Sequence, residues 1–549
     1  MNAMSVARCI ALVAVAACAA PTAQTPAAGR IAGRVLDTAG RPLPGATVTL
    51  QTRPAGGDGV TTTSDADGRF AFERPEPGVF TLSAALDDHV ETEYGARTPG
   101  EPGTPVRLHA GQHVVDLQIV LPAHGAITGR VRDANGDPPK GAMVEAFPIE
   151  SGRFEPRLRA VAGETAAPDG TYSLDGLVPG EYVVSARSAR VMRRGSTFRV
   201  IELFDPHVRT FHPASLGSAG AAVVTVVPGA TAGGIDIRLG DYPSSSFELL
   251  LRAPVGPVGD VRASIRAADA FSSPPTTATF SARTSASSVG YWRSTDLVAG
   301  RYEYVASARV GGRLWWAFGE VHADGVTPLR VEAALQPSAA ITGVVRFHDA
   351  EFEQVYPGLR LVGLDDRRES ETMPRFQTVP FASGEFEMLD VAPGRYVLTT
   401  EATTAIDGRW RLHSVTIDGQ DRLDLPFDLV AGQTVRGVQI ALTTRTTTLR
   451  GRVLDEEDER PRTDVTLVVF PADARYRWPG SRRIVTTRPD TSGAFEVTDL
   501  PSGDYLVAAA GGPIRPAPDD IGFVEDLAAG ATPVSLSVGE PSELVVRVR

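Results

Sequence analysis

A pair of glycine-x-aromatic motifs, ten residues apart, recurs five times along this chain of 549 residues. A fixed internal spacing held in five copies predicts an array of one small module, and such self-similarity constrains the fold more than any other feature. The copies are Gly68/Phe70 with Gly78/Phe80, Gly170/Tyr172 with Gly180/Tyr182, Gly290/Trp292 with Gly300/Tyr302, Gly384/Phe386 with Gly394/Tyr396, and Gly493/Phe495 with Gly503/Tyr505.

Each copy of this repeat predicts a β-hairpin. In the second copy Pro179 presets φ at one turn position, and Gly180 is expected to take the positive φ that usually follows it. Alternation places Tyr172 and Tyr182 on the faces of their strands that form a core, so the hairpin glycines and aromatics are interpreted as structural. Apolar–polar alternation broken by Gly, Pro and Asp continues on both sides of each hairpin, with no convincing helical periodicity. The chain is therefore expected to be all-β.

The positions of the repeats predict where the domains lie. The second glycines stand at 78, 180, 300, 394 and 503, so each module is about 100 residues long and can bury its own core. We expect a signal peptide over residues 1–23 and β-sandwich domains over residues 29–122, 125–241, 245–337, 339–444 and 447–549. The third of these is degenerate in sequence.

The modules carry a family resemblance. Gly-x-Val-x-Asp-x-x-Gly-x-Pro-x-x-Gly-Ala, then Asp-Gly-x-Phe, then Leu-x-Pro-Gly-x-Tyr resembles the carboxypeptidase regulatory-like domain. The resemblance implies a transthyretin-like (prealbumin-like) sandwich of about seven strands, grouped with carbohydrate-binding-like folds. The expected fold class is thus a tandem array of about five transthyretin-like Greek-key β-sandwich domains. In the parent enzymes this domain is an accessory to a separate peptidase domain, so the resemblance implies no catalysis.

The N-terminus predicts export. Arg8 precedes an apolar stretch over residues 9–17, followed by small residues, as in a signal peptide. Residues 15–18, Val-Ala-Ala-Cys, resemble a bacterial lipobox, in which Cys18 becomes the acylated first residue of a lipoprotein. The alternative is cleavage near Ala20 or Ala23, which leaves a freely secreted chain. The expected location is the periplasm, the outer membrane or the extracellular space, with membrane contact only through a lipid anchor.

Catalytic and metal-binding motifs are weak in this sequence. His348 and Glu351 form a His-x-x-Glu that only His413 follows, which is too little for a zinc site and fits a turn. The acidic segments 65–68 and 133–137 are similar to calcium loops but lack the ligand at the twelfth EF-hand position, and hairpins also use Asp-Gly. We expect no enzyme activity, no metal and no cofactor. The formal net charge of −12 also argues against nucleic acid as a partner.

Aromatic residues outside the hairpin pattern are the candidates for sugar stacking. Alternation sends Trp315 and Trp316 to opposite faces of a strand, so one can join Leu314 and Phe318 in a core while the other lies near a surface or a module contact. Inter-domain packing or a half-buried ring is the alternative for every candidate. The carbohydrate-stacking candidates are Tyr291, Trp315, Trp316, Trp410 and Trp478.

Two further features bear on partners. Lys140 is the one lysine, so internal Lys–Asn isopeptide bonds cannot cross-link five modules. A basic hairpin tip is expected to be a solvated loop or a contact for anionic glycan or lipid; it comprises Arg187, Arg190, Arg193, Arg194 and Arg199.

Three functions remain open from the sequence. The first is a non-catalytic exported protein acting as a spacer or interaction module, with envelope proteins as partners. The second is a carbohydrate-binding protein that recognises polysaccharide through exposed aromatics. The third is an accessory protein to a peptidase or an outer-membrane uptake system. The short joins at residues 122–125 and 335–338 predict touching neighbours and an extended, stiff rod.

Overall fold

The computed structural model is almost entirely β-structure, which confirms the all-β prediction. Within the described residues the one α-helix is Ile521–Leu527, and short 3₁₀ turns occur at Ala474–Tyr476 and Ala528–Gly530. No helix in these ranges is long and apolar enough to cross a membrane. The structure describes residues 29–53, 59–98, 100–139, 141–149, 160–187, 189–192, 201–204, 209–217, 220–240, 243, 245–268, 276–279, 289–349, 356–364, 376–401, 410–511 and 521–548.

The strands fall into five groups, here called modules 1 to 5. Module 1 contains β1 (Arg30–Asp37), β2 (Thr47–Thr52), β3 (Val60–Thr63), β4 (Arg69–Glu73), β5 (Gly78–Ala85), β6 (Thr92–Glu93), β7 (Val106–Leu108) and β8 (His113–Leu121). Module 2 contains β9 (Gly125–Arg132), β10 (Met143–Pro148), β11 (Ala162–Thr165), β12 (Thr171–Leu177), β13 (Gly180–Arg187), β14 (Ala189–Met192), β15 (Ile201–Phe204), β16 (Thr210–Phe211), β17 (Val224–Val226), β18 (Thr231–Ala232) and β19 (Ile237–Arg238).

The remaining strands form modules 3, 4 and 5. Module 3 contains β20 (Ser245–Arg252), β21 (Val258–Ala267), β22 (Thr276–Thr279), β23 (Val289–Leu297), β24 (Gly300–Val310), β25 (Arg313–Ala323), β26 (Leu329–Ala334) and β27 (Gln336–Pro337). Module 4 contains β28 (Ala339–Phe347), β29 (Gly358–Gly363), β30 (Gln377–Thr378), β31 (Glu385–Val391), β32 (Gly394–Glu401), β33 (Arg411–Ile417), β34 (Gln420–Asp421), β35 (Phe427–Leu429) and β36 (Thr434–Thr443). Module 5 contains β37 (Thr448–Asp455), β38 (Thr466–Pro471), β39 (Val485–Thr487), β40 (Ala494–Thr498), β41 (Gly503–Ala510), β42 (Thr532–Leu536) and β43 (Pro541–Val548).

One arrangement recurs in all five modules: the opening strand pairs with the first hairpin strand on one side and with the closing part of the module on the other. In module 5 the opening strand β37 lies between β40, which is antiparallel to it, and the closing strand β43, which is parallel. The second sheet has the order β39-β38-β41-β42. The chain therefore crosses repeatedly from one sheet to the other, as in a Greek-key sandwich. In the described part of the chain every sheet draws its strands from a single module.

The ten hairpin aromatics fill the cores of the modules, so none of them offers an open face to a ligand. Period-two alternation turns every one of these rings inward, and none is more than 6% exposed. The buried rings are Phe70 and Phe80 in module 1, Tyr172 and Tyr182 in module 2, Trp292 and Tyr302 in module 3, Phe386 and Tyr396 in module 4, and Phe495 and Tyr505 in module 5.

The ring on the first hairpin strand packs against the opening strand of its own module. Trp292 meets Phe247 of β20 edge to face, with ring centroids 5.9 Å apart. Phe495 lies over Gly451 of β37 so closely that a Cβ there would be 2.6 Å from the ring. The first aromatic of the repeat therefore belongs to the contact between paired strands as well as to the core.

In modules 2 to 5 the buried ring on the return strand also forms a hydrogen bond with the hairpin turn. There the tyrosine donates its hydroxyl proton to the carbonyl of the fourth residue before it. In module 1 the same position is Phe80, which fills the core without a hydroxyl to donate. The bonded pairs are Tyr182 to Val178 (2.6 Å), Tyr302 to Val298 (3.1 Å), Tyr396 to Ala392 (2.8 Å) and Tyr505 to Pro501 (2.7 Å).

The two hairpin glycines have different roles, and one expectation about them is wrong. Gly180 does not take the left-handed conformation; it begins the return strand, where a Cβ would meet the Tyr182 ring at 3.9 Å. The first glycine has the positive φ instead, 83° at Gly170, where a Cβ would lie only 2.5 Å from the Val131 carbonyl. Glycine is required there because both the conformation and the close backbone approach exclude a side chain.

The prediction of an extended rod is also wrong, because the first and last modules contact each other. Asp490 of module 5 binds Arg107 of module 1, with 2.5 Å between Oδ2 and Nε. Arg488 donates to the Gly95 carbonyl at 2.6 Å, and the Thr491 amide donates to Pro105 at 3.1 Å. Short joins hold neighbours together but do not make successive modules collinear. We call this contact the clasp, formed by Gly95, Pro102, Pro105 and Arg107 with Arg488, Asp490 and Thr491.

Candidate functional site

Two of the five candidate stacking rings have no open face, so those expectations are wrong. Trp410 is 4% exposed in the core of module 4, with its ring centroid 4.4 Å from that of Phe347. Trp316 is 2% exposed at the contact between modules 3 and 4. A buried ring cannot stack on a sugar, and hydrophobic burial stabilises both rings where they are.

The two adjacent tryptophans on β25 lie on the opposite faces from those expected. Trp315 is half-buried and packs against the core of module 3. Trp316 shares its face with Leu314 and Phe318, and that face meets Ala392 of module 4 instead of the core. Alternation correctly separates the two rings, but it does not say which face another module covers.

Asp390 joins module 4 to module 3. Its carboxylate accepts hydrogen bonds from the Leu314 amide at 3.2 Å and from the Ser338 hydroxyl at 3.3 Å. Its carbonyl accepts the indole proton of Trp316 at 3.3 Å. One aspartate thus satisfies three donors where the two modules meet.

Asp424 occupies the corresponding role between modules 4 and 5. It is 2% exposed, and its two carboxylate oxygens accept from Arg482 Nε at 2.6 Å and Arg483 Nε at 2.8 Å. Its carbonyl accepts the indole proton of Trp478 at 3.1 Å. Trp478 is therefore a half-buried joint residue, which is the alternative that the sequence left open for it.

Sequence reasoning missed a recurring corner position four residues before the second hairpin glycine. This position is left-handed at Asp390 (φ 58°) and Asp499 (φ 69°), as well as at Arg74 (φ 60°) and Gly176 (φ 70°). Asp499 accepts from Arg411 of module 4 at 3.1 Å. An aspartate four residues before the second hairpin glycine could have indicated this position, because aspartate tolerates the left-handed conformation and can accept hydrogen bonds from a neighbouring module.

The clasp also rests on buried charge. Asp490 is 2% exposed and Arg488 is 7% exposed. Burial lowers the pKa of Arg488, with the nearby positive charge of Arg97 adding to the effect. Arg488 Nη1 donates to the Gly95 and Pro102 carbonyls, so backbone dipoles of module 1 solvate this buried cation.

Within the part of the chain that the structure describes, the candidate metal ligands do not converge on a metal site. The rings of His348 and His413 stack with centroids 4.1 Å apart, while Glu351 lies outside the described residues. Asp65 and Asp133 accept backbone amides of their own turns, at 2.8 to 2.9 Å. In the described ranges no three His, Cys, Asp or Glu side chains converge to hold a metal ion.

A cleft opens at the joint of modules 4 and 5. It is small, with a cavity volume of about 30 Å³. Both modules line it, and we call it the joint cleft, whose polar residues include Arg411, His413, Arg445, Arg482 and Asp499.

Tyr291 is the stacking candidate with an open face. It lies on β23 of module 3 and is 46% exposed. Its hydroxyl donates to Glu248 Oε1 at 3.2 Å, and the charges of Arg293 and Arg330 act on it. Desolvation by the neighbouring sheet and the bond to Glu248 raise its pKa. An exposed ring beside acid and guanidinium groups is an arrangement that can bind a sugar.

Two other expectations lie wholly or partly outside the described residues. Cys18, the lipidation candidate, is one of them. Of the basic tip, Arg187 is described; it lies at the end of β13, where its Nε is 3.3 Å from Glu145 Oε2 and its side chain is 13% exposed. Arg187 is thus a half-buried strand residue and does not belong to a solvated tip.

The family assignment follows from the first two modules. Residues 30–122 and 126–203 match the model of the carboxypeptidase regulatory-like domain. Modules 1 and 2 are carboxypeptidase regulatory-like domains. Modules 3 to 5 repeat the same three-strand arrangement around the opening strand, so they are β-sandwiches of similar architecture.

Comparison with other proteins adds little beyond this family. No curated protein matches the sequence. A streptococcal ancillary pilin is 14% identical with a TM-score of 0.21, covering 56% of this chain and 98% of the pilin. The minor pilin GBS52 of Streptococcus agalactiae is 11% identical with a TM-score of 0.22, covering 39% and 97%. BcpA, the major pilin subunit of Bacillus cereus, is 9% identical with a TM-score of 0.15, covering 77% and 99%. Scores this low carry no argument about function.

Proposed function

We propose that this chain is a non-catalytic, exported scaffold whose five β-sandwich domains act together as an interaction module of the cell envelope. The clasp is the observation that carries this proposal, because it contributes buried charge to a contact between the two ends of the array. A spacer has to keep its two ends far apart. A closed array brings its ends together and presents a fixed outer surface. The clasp therefore favours the interaction module over the spacer.

The contacts between neighbouring modules support a fixed arrangement. The joins of modules 3–4 and 4–5 each centre on an aspartate, Asp390 and Asp424, with several donors from the adjoining module. At the join of modules 1 and 2, the amides of Val90 and His124 bond to Pro122 and Asp88, each at 2.8 Å. Bending one module relative to its neighbour would break these contacts and leave buried polar groups without partners. The contacts therefore oppose bending at the joins.

Cross-linking in the envelope tests the scaffold. A tagged chain that includes residues 1–28 is expressed in a Gram-negative host and cross-linked in intact cells, and its partners are identified by mass spectrometry. The expected result is export and cross-links to envelope components, with Arg107→Ala changing the set because it opens the clasp. Retention of the chain in the cytoplasm, or turnover of peptides by the purified chain, would contradict the proposal.

Carbohydrate binding is a second candidate function, favoured by the exposed ring of Tyr291 next to Glu248. A polysaccharide screen with Tyr291→Ala and Tyr291→Phe separates stacking from hydrogen bonding. Loss of binding in the alanine variant and its survival in the phenylalanine variant would support a stacking site. Binding by the alanine variant that is as tight as that of the wild type would exclude Tyr291 as the platform.

A further inference from the structure

The closing strand of module 5 lies at an open edge of its sheet. Among the described residues the sheet has the order β40-β37-β43, so β43 has a neighbouring strand on one side only. Its parallel pairing with β37 runs from Pro541 to Val548 without a shift of register. An edge strand presents a row of backbone N–H and C=O groups that its own sheet does not use, which makes it a template for a further strand.

Module 4 shows which kind of strand this edge accepts. There the closing strand β36 lies parallel to the opening strand β28 on one side and antiparallel to β33 on the other. The pairing with β33 extends the sheet to five strands, in the order β31-β28-β36-β33-β34. An antiparallel strand is therefore the neighbour that fits the position left open beside β43.

The closing strand of module 1 also ends its sheet, but a bulge interrupts it. Asp116 of β8 has a φ of 63°, and the register against β1 shifts between Ile31 and Gly33. Bulges bend an edge strand and hinder its pairing with another chain. The pairing of β43 with β37 has no such irregularity, and its outer face carries Val545, which is 49% exposed. Of these two edges, β43 is therefore the better template.

The outward side chains of β43 are complementary to themselves. Val546 is buried in the core of module 5, so alternation turns Glu543, Val545 and Arg547 to the outer face. When a second β43 lies antiparallel with Val545 opposite Val545, each Glu543 faces an Arg547 of the other copy. Opposite charges directly across a strand pair are stabilising. Sliding one strand by two residues loses both charge pairs, so the charges select this register.

Arg547 is not held firmly within its own module. Its Nη1 lies 3.1 Å from Glu459 Oε1, but the two side chains are 50% and 68% exposed. Exposed pairs of this kind contribute little to stability. The guanidinium group also has further N–H donors, so it can bind a carboxylate of a second chain while it keeps Glu459.

We propose that β43 pairs antiparallel with β43 of a second copy of this chain, about a two-fold axis at Val545. The pairing joins two three-stranded sheets into one continuous sheet. A two-fold interface requires a surface that is complementary to itself, and the outer face of β43 is such a surface. The inference goes beyond the scaffold proposed above and does not depend on the clasp, because Asp490 precedes β40, which lies at the opposite edge of the same sheet.

Sedimentation velocity of the chain from residue 19 onward, over a range of concentrations, measures the association. We expect a reversible equilibrium between monomer and dimer. Glu543→Arg and Arg547→Glu each place like charges opposite one another on both sides of the axis, so each should raise the dissociation constant by about ten-fold or more. The variant that carries both exchanges restores opposite charges and should associate within about three-fold of the wild type.

Three results would overturn the proposal. They are a wild-type chain that stays monomeric at every concentration, single variants that dimerise as the wild type does, and a double variant as weak as the single ones. Glu459→Gln is the matched control, because it removes the ion pair of Arg547 inside module 5 and leaves β43 unchanged. It should dimerise at least as tightly as the wild type, and a loss equal to that of Arg547→Glu would also count against the pairing.

Cross-linking under a mild oxidant locates the two-fold axis. The chain from residue 19 onward contains no cysteine, so Val545→Cys introduces a single thiol. Pairing raises the effective concentration of one thiol beside the other to roughly the millimolar range. At micromolar chain concentration the covalent dimer should therefore form at least about ten-fold faster than with Val115→Cys, a site on β8 that is 46% exposed. Equal rates at the two sites would overturn the assignment to β43.

Discussion

Arg107 in module 1 and Asp490 in module 5 pair across 383 positions of sequence, with 2.5 Å between Nε and Oδ2. The second carboxylate oxygen of Asp490 accepts from the amides of Ser492 and Ala494, so the aspartate is preorganised by its own turn. Arg107 has no comparable structural role in its own module, since it lies on β7 with a side chain that is 31% exposed. Arg107 is therefore the residue through which the clasp can be opened with least damage to either module.

Replacing Arg107 by alanine is expected to open the array. The change leaves the buried Asp490 carboxylate without its cation, which favours separation of the two modules and its hydration. Small-angle scattering should show a larger radius of gyration and maximum dimension than for the wild type. Arg30→Ala, which removes an exposed pair with Glu73 inside module 1, is the control and should scatter like the wild type. Identical scattering by Arg107→Ala and the wild type would contradict a structural role for the pair.

Asp424→Ala is expected to destabilise the joint of modules 4 and 5. Removing one partner of a buried ion pair costs about 3–5 kcal/mol, because the remaining charge stays buried without compensation. Hydrogen exchange of the full chain should show faster exchange along β33 and β38 in this variant. Glu496→Ala removes an exposed pair with Arg450 in module 5 and should change stability by less than about 1 kcal/mol. Comparable exchange in both variants would show that Asp424 does not hold the joint.

Tyr505→Phe is expected to loosen the hairpin of module 5. The buried hydroxyl donates to Pro501 at 2.7 Å and accepts from Arg483 at 3.3 Å, and burial raises its pKa to about 12. Loss of a buried hydrogen bond costs about 0.5–1.5 kcal/mol, with more when a charged donor is left unpaired. Thermal unfolding should show the transition of module 5 at a lower temperature. Tyr182→Phe, whose hydroxyl bonds to Val178, should cost less; a larger cost there would contradict the added role of Arg483.

The modules could be predicted from the sequence, whereas their joints could not. Hairpin aromatics such as Phe386 and Tyr396 repeat at a fixed spacing because every module needs the same core, so local alternation places them correctly. Asp424 and Arg483 are not part of a repeated sequence pattern, because their contact depends on the angle between two modules. The same is true of Trp316. Its strand can be predicted from the sequence, but the residues that cover its outer face belong to module 4.

The stacked rings of His348 and His413 are expected to make module 4 sensitive to acid. Burial lowers the pKa of His413, and the adjacent His348 lowers it further, while the carboxylates of Asp349 and Asp421 act in the opposite direction. The unfolded chain therefore binds a proton at His413 more readily than the folded chain does. This contribution to stability is complete above the unfolded pKa of about 6.5 and is lost as the pH falls from there towards the lowered folded value.

Thermal unfolding at pH 7.5 and pH 5.5 measures this effect. We expect the transition of module 4 to shift to lower temperature at pH 5.5 in the wild type, and to shift less in His413→Gln, because glutamine does not titrate. His322→Gln is the control, since His322 is an exposed residue of β25 in module 3 and its replacement should leave the shift unchanged. A wild-type shift that persists in full in His413→Gln would place the acid sensitivity elsewhere, because the stacked pair is the only element changed by that substitution.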